Sequence, residues 1–125
     1  MTIKSKKPKF TPMEIIGFAR GWIADVMEWT AQETNESYYA NKMLRAAIQR
    51  SFAAIGEAIK DIPAEILKLE PLGAWAPAMA FRNIVAHDYE EGLEHDVVWN
   101  TIRNDLPVLD AALARLEQRL KEQRP

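Results

Sequence analysis

Apolar residues recur every three or four positions along most of the chain, the period of a helix with one buried face. The first such stretch is "TPMEIIGFARGWIADVMEWT". Thr11 stands where an N-cap belongs, Pro12 takes the first helical position and Glu14 follows three residues after the cap. That is a capping box with the favoured proline placement. Ile16, Ala19, Ile23, Val26 or Met27, and Thr30 make its inner stripe. "ETNES" interrupts the pattern with turn-type residues. A second helix is predicted from about Ser37 to Lys60, with Ala40, Leu44, Ala47, Ile48, Ser51, Ile55 and Ile59 facing inward. Gly56 lies inside that pattern at a cost of about 1 kcal/mol relative to alanine. Its simplest reason is the close approach of another helix.

Asp61-Ile62-Pro63 ends the second helix, and "PAEILKLE" allows at most a short one. A third is predicted from about Ala74 to Ala86, with Trp75, Met79, Ile84 and Val85 as its apolar positions. Gly92 marks a turn. The last segment, from His95 on, carries Val98, Ile102, Leu106, Leu109, Leu113, Leu116 and Leu120. Pro107 lies within it and should kink or split it, since proline cannot donate a backbone hydrogen bond. No strand-like alternation of useful length appears. The expected class is all-α, a four- to five-helix up-and-down bundle. Residues 1–10 read as a basic flexible tail and residues 11–125 as one helical domain.

Composition narrows the functional classes. At 125 residues, 48% apolar and 27% charged, the chain can bury a core of its own. Four tryptophans should be at least partly covered there or in an interface. The absence of cysteine excludes disulfides, zinc–thiolate sites and thiol catalysis, and fits a cytoplasmic location. No apolar run approaches the roughly 20 residues of a membrane span. Glu14 and Arg20 interrupt the region where an export signal would be apolar. The net charge of −2 argues against a broad positive coat for nucleic acid, but not against a local site for one phosphate group. Lys4, Lys6, Lys7 and Lys9 are expected to be solvated, with contact to RNA or a protein partner as the other reading.

The candidate chemistry is concentrated in "FRNIVAHDYEEG", residues 81–92. Arg82 and His87 are five residues apart, so on a regular helix they would diverge by about 140°. They converge only if the helix ends between them or a second subunit supplies the partner. An arginine grips phosphate oxygens at two points, and a histidine moves a proton near neutral pH. Arg82 could equally pair with Asp88 or Glu90, and His87 could cap the helix end. His95 is expected to be a surface or capping residue.

The segment also resembles the motif of the HepT-like ribonuclease toxins, in the superfamily named for its higher-eukaryote and prokaryote nucleotide-binding (HEPN) domain. That motif is an arginine, four residues, a histidine, one residue and a tyrosine. "AAIQRSFAAIGEAIK", "WAPAMAFRNIVAHDYE" and "VVWNTIRNDLPVLDAAL" resemble the family's second, third and fourth helices in order, from about Ala46 to Leu113. Phe81 stands where the family often has methionine, and the first helix adds Trp22 and Trp29.

The resemblance implies a metal-independent ribonuclease site at a two-fold dimer interface, with Arg82 and His87 catalytic, Asn83 as the polar neighbour and no cofactor. Glu57, in "IGEA", could orient Arg82 or His87. The resemblance further implies a minimal nucleotidyltransferase antitoxin that silences the toxin by transferring AMP to Tyr89. Two other readings stand beside this one. One is a non-catalytic nucleotide-binding subunit of a split nucleotidyltransferase, and the other is a helical dimerisation domain whose motif is structural.

Overall fold

The computed structural model describes residues 10–83 and 95–123. The lysine-rich tail, Ile84 and Val85 of the expected third helix, His87, Tyr89 and the turn at Gly92 lie outside the described residues. Among those described there is helix and no strand, so the all-α class holds. No described helix is long and apolar enough to cross a membrane.

Helix α1 runs Pro12–Thr30. Its capping box is closed in both directions: Glu14 N–H donates to Thr11 Oγ1 at 3.1 Å, and Thr11 N–H donates to Glu14 Oε1 at 2.9 Å. Ile16, Ala19, Ile23, Val26 and Thr30 are the buried face. Thr30 satisfies its hydroxyl by donating to the Val26 carbonyl at 2.8 Å, which lets a polar residue close an apolar stripe.

The second expected helix is in fact two. Helix α2 spans Asn35–Ala40 and α3 spans Lys42–Asp61. Between them Asn41 is extended, at φ −104° and ψ 97°. Its side chain accepts from Leu44 N–H at 3.0 Å, the N-cap bond that asparagine makes well. The break turns Ala40 out to solvent, whereas an unbroken helix would have placed it inward. It also drives Tyr38 fully into the core. The rest of the stripe is inward as expected: Ile48, Ser51, Ile55 and Ile59 are buried, while Leu44 and Ala47 are half-buried.

Helix α4 is the short turn Ala64–Leu67, and α5 is Trp75–Met79. Within the described residues, the helix expected to Ala86 leaves α geometry after Met79. It tightens at Ala80 into a 3₁₀ turn, Ala80–Asn83, as helix C-termini often do. Helix α6 is His95–Asn100, followed by a π turn at Thr101–Asp105 and then α7, Leu106–Glu122. Pro107 thus splits the last helix as expected. It falls in the first turn of α7, where its missing N–H costs little. The wider turn before it keeps the axis going, with Leu106 N–H donating to the Thr101 carbonyl five residues back.

Helices α1, α3 and α7 supply most of the core, and the shorter elements add to it. Ile16, Ile23, Phe52, Ile55, Ile102, Leu106, Leu113 and Leu116 are among its members. Each such side chain contributes about 1.5–3 kcal/mol when fully buried. Trp22, Trp75 and Trp99 pack against this core, and Trp29 stays 41% exposed.

Candidate functional site

The site begins with α3 packing against the 3₁₀ turn. Gly56 is buried on α3. A Cβ there would lie 2.8 Å from Arg82 N, 3.0 Å from Met79 O and 3.2 Å from Arg82 Cβ. Two of these are backbone atoms, so only glycine lets the turn sit this close. The Met79 carbonyl at the end of α5 and the N–H and Cβ of Arg82 in the turn all face Gly56. The glycine expected to mark a close helix approach therefore marks the seat of the motif arginine.

Phe81 and Arg82 then divide inside from outside. Phe81 stacks on the fully buried Phe52, with ring centroids 5.2 Å apart and planes at 23°. Arg82, next along the chain, is 38% exposed and donates from Nη1 to Glu57 Oε1 at 3.0 Å. Glu57 is itself 53% exposed, so the pair is a surface one. It adds little stability but restricts where the guanidinium points. Glu57 follows Gly56 directly, so one turn of α3 supplies both the gap and the carboxylate. Asn83 is exposed.

The structure therefore brings Glu57 and Arg82 together, and Asn83 follows Arg82 at the end of the turn, exposed. His87 and Tyr89 lie outside the described residues. The 140° divergence of Arg82 and His87 presumes regular α geometry, which the chain has already left at Ala80. Phe81 had no role at the level of sequence beyond differing from methionine. Its ring is what fastens the turn to the core. Among the described residues no group of three or more His, Asp or Glu side chains is placed to hold a metal ion.

His95 is not a bare surface residue. It opens α6, half-buried, with Nδ1 3.3 Å from the Tyr38 hydroxyl and its ring 5.0 Å from that of Tyr39 at 81°.

The family model described as ribonuclease HepT-like matches residues 20–116. The chain belongs to this family. The match takes in α3, the 3₁₀ turn and most of α7, and so the whole seat of Arg82. Among curated relatives, the chain is 31% identical over 83 residues to "Putative RNase MJ1380" of Methanocaldococcus jannaschii, covering 66% of this chain and 75% of that one. It is 29% identical over 93 residues to "Probable ribonuclease HepT" of Thermococcus cleftensis, covering 74% and 84%. It is 26% identical over 83 residues to "Putative RNase MJ0127" of M. jannaschii, covering 66% and 68%. No solved structure is significantly similar.

Proposed function

We propose that this HepT-like chain is an RNA-cleaving toxin whose site is built on Arg82 and His87. The observation that carries the reading is the fixing of Arg82. Phe81 holds the turn from within, Gly56 removes the obstacle beneath it, and Glu57 holds the guanidinium at 3.0 Å. The glycine sets how closely the turn lies on α3, and so where the guanidinium can reach.

In this mechanism the 2′-oxygen of RNA attacks the adjacent phosphorus. His87 takes the 2′-hydroxyl proton as the O2′–P bond forms, and the P–O5′ bond breaks with the departing 5′-oxygen taking up a proton from water. The products are a 2′,3′-cyclic phosphate and a 5′-hydroxyl end. Arg82 stabilises the charge that builds on the phosphorane oxygens. The step calls on no metal. A homodimer would supply the cleft in which two copies of the motif meet, and the protein would act in the cytoplasm.

The same reading assigns silencing to a minimal nucleotidyltransferase antitoxin. It would transfer AMP from ATP to the Tyr89 hydroxyl with release of pyrophosphate. The added phosphate and base would occupy the RNA site and offset its positive charge.

Expression of the chain without a partner is expected to arrest growth and degrade RNA. Both effects should be lost in R82A and H87A proteins that still fold by circular dichroism. Co-expression with the nucleotidyltransferase should add AMP masses to the Tyr89 peptide. A wild-type chain that is harmless and cuts no RNA would instead make it the nucleotide-binding subunit of a split transferase. An unmodified Tyr89 would remove the silencing step alone.

A further inference from the structure

At the other end of α3 from Gly56 lies a cluster of aromatic and cationic side chains. Tyr39 is 59% exposed. The Arg45 guanidinium lies over its ring, 5.5 Å from the centroid, and donates from Nη1 to the Tyr39 carbonyl. His95 meets the same ring edge-on. Beneath it, Tyr38 bonds His95 and stacks with Trp99 at 5.6 Å, and Arg103 lies 4.4 Å over Trp99. Arg103 is in turn tied to α1 by donating from Nη2 to the Thr30 carbonyl at 2.6 Å. Tyr39 thus stands on a stack anchored through three layers.

A tyrosine kept only for packing would be turned in, as Tyr38 is. An arginine kept only for solubility would not be fixed over it. Aromatic rings and cations held together are what single-stranded nucleic acid uses, since every base has a π face and every linkage a phosphate; with Arg45 over one face of Tyr39, a base would take the other.

The placement is also suited to RNA. Arg45 and Gly56 are 11 residues apart, so they share one stripe of α3 and are about 16 Å apart along its axis. Gln49 lies between them on that stripe, 8% exposed, with Nε2 unpartnered among the described residues.

We infer that the Tyr39–Arg45–His95 surface is a second RNA subsite, taking a base on Tyr39 and its phosphate on Arg45, a few nucleotides from the bond cut at Arg82. The inference rests on the ribonuclease reading and names where the rest of the strand lies. The subsite is sequence-tolerant, because stacking and a phosphate contact do not distinguish bases.

The test uses a fluorescent single-stranded RNA of mixed sequence bearing 2′-O-methyl groups, which cannot undergo 2′-hydroxyl attack. Y39A should bind it roughly tenfold more weakly than wild type, the loss of one stacked base. Y39F should bind like wild type. R45A should bind more weakly and with a shallower salt dependence. Ultraviolet crosslinking to the unaltered protein, read by peptide mass spectrometry, should mark the Tyr39 peptide, and still mark it in R82A. Wild type that cuts unmodified RNA while Y39A and R45A bind undiminished would overturn the subsite and leave the ribonuclease standing. Crosslinks that avoid the Tyr39 peptide would do the same. A wild-type chain that neither binds nor cuts RNA would remove both.

Discussion

Glu57 and Arg82 are 25 residues apart in the chain and meet at 3.0 Å. Both are substantially exposed, so solvent screens the attraction, and such pairs contribute about 0–1 kcal/mol. In the proposed ribonuclease site the contact serves to orient Arg82, and this separates two measurements that usually move together. Glu57→Ala should leave the thermal unfolding midpoint nearly unchanged, a difference within about 0.5 kcal/mol. Under the proposed mechanism turnover on RNA should fall on the order of tenfold, because a wandering guanidinium would meet the phosphorane less often. Glu57→Gln keeps an oxygen acceptor and should fall between. If Glu57→Ala cuts RNA as wild type does, Glu57 does not position Arg82. The sequence motif already singled out Arg82, and "IGEA" pointed to Glu57. Neither showed that Gly56 and Phe81 hold the turn, because a glycine's neighbours and a ring's partner belong to tertiary structure.

Helix boundaries were legible where a local signal agreed with the apolar period and illegible where it opposed it. Thr11, Pro12 and Glu14 lie ahead of the α1 stripe, and all agree with it. Pro107 interrupts a stripe that continues in phase beyond it, and a π turn absorbs the proline without losing the phase. At Asn41 the two signals conflict. Apolar spacing runs on through Ala40, Leu44 and Ala47 as if the helix were continuous, yet the cap bond to Leu44 N–H wins. The reward for breaking is Tyr38, which the short α2 buries fully beside Trp99. The third helix leaves α geometry at Ala80 for a related reason. Apolar residues past Met79 fit either a helix or a 3₁₀ turn, and the approach to Gly56 goes with the turn. Asn41→Ala should therefore cost about 1 kcal/mol of stability, the usual worth of a capping side chain, read from denaturant unfolding. Asn41→Asp should restore most of it. A neutral Asn41→Ala would mean that burial of Tyr38 alone sets the break.

At the scale of the whole molecule, three arginine-centred ties join segments far apart in the chain. Arg20 of α1 bonds Asp110 and Glu117 of α7, both at 2.9 Å. Arg103 bonds the carbonyls of Thr30 and Glu33. The third is inverted, with a carboxylate at its centre. Glu70, in the loop between α4 and α5, is 1% exposed and accepts from Arg119 Nε at 2.8 Å and Arg115 Nε at 3.1 Å. Trp75 Nε1 donates to the Glu70 carbonyl at 3.0 Å, so the tie fastens to α7 the loop that leads into the Arg82 turn. Burial pushes the Glu70 carboxyl up, but the two arginine hydrogen bonds and charges outweigh it and hold it below the ordinary value of 4.5. A carboxyl lowered on folding adds stability that is present above 4.5 and is lost as pH falls through the folded value. Thermal melts of wild type should therefore decline progressively below pH 4.5. Glu70→Gln keeps the shape but removes the charge. It should melt lower than wild type at pH 7 and show a shallower decline in acid, so the two curves converge as pH falls. Parallel curves would assign the acid sensitivity to other carboxylates and leave Glu70 as a packing residue.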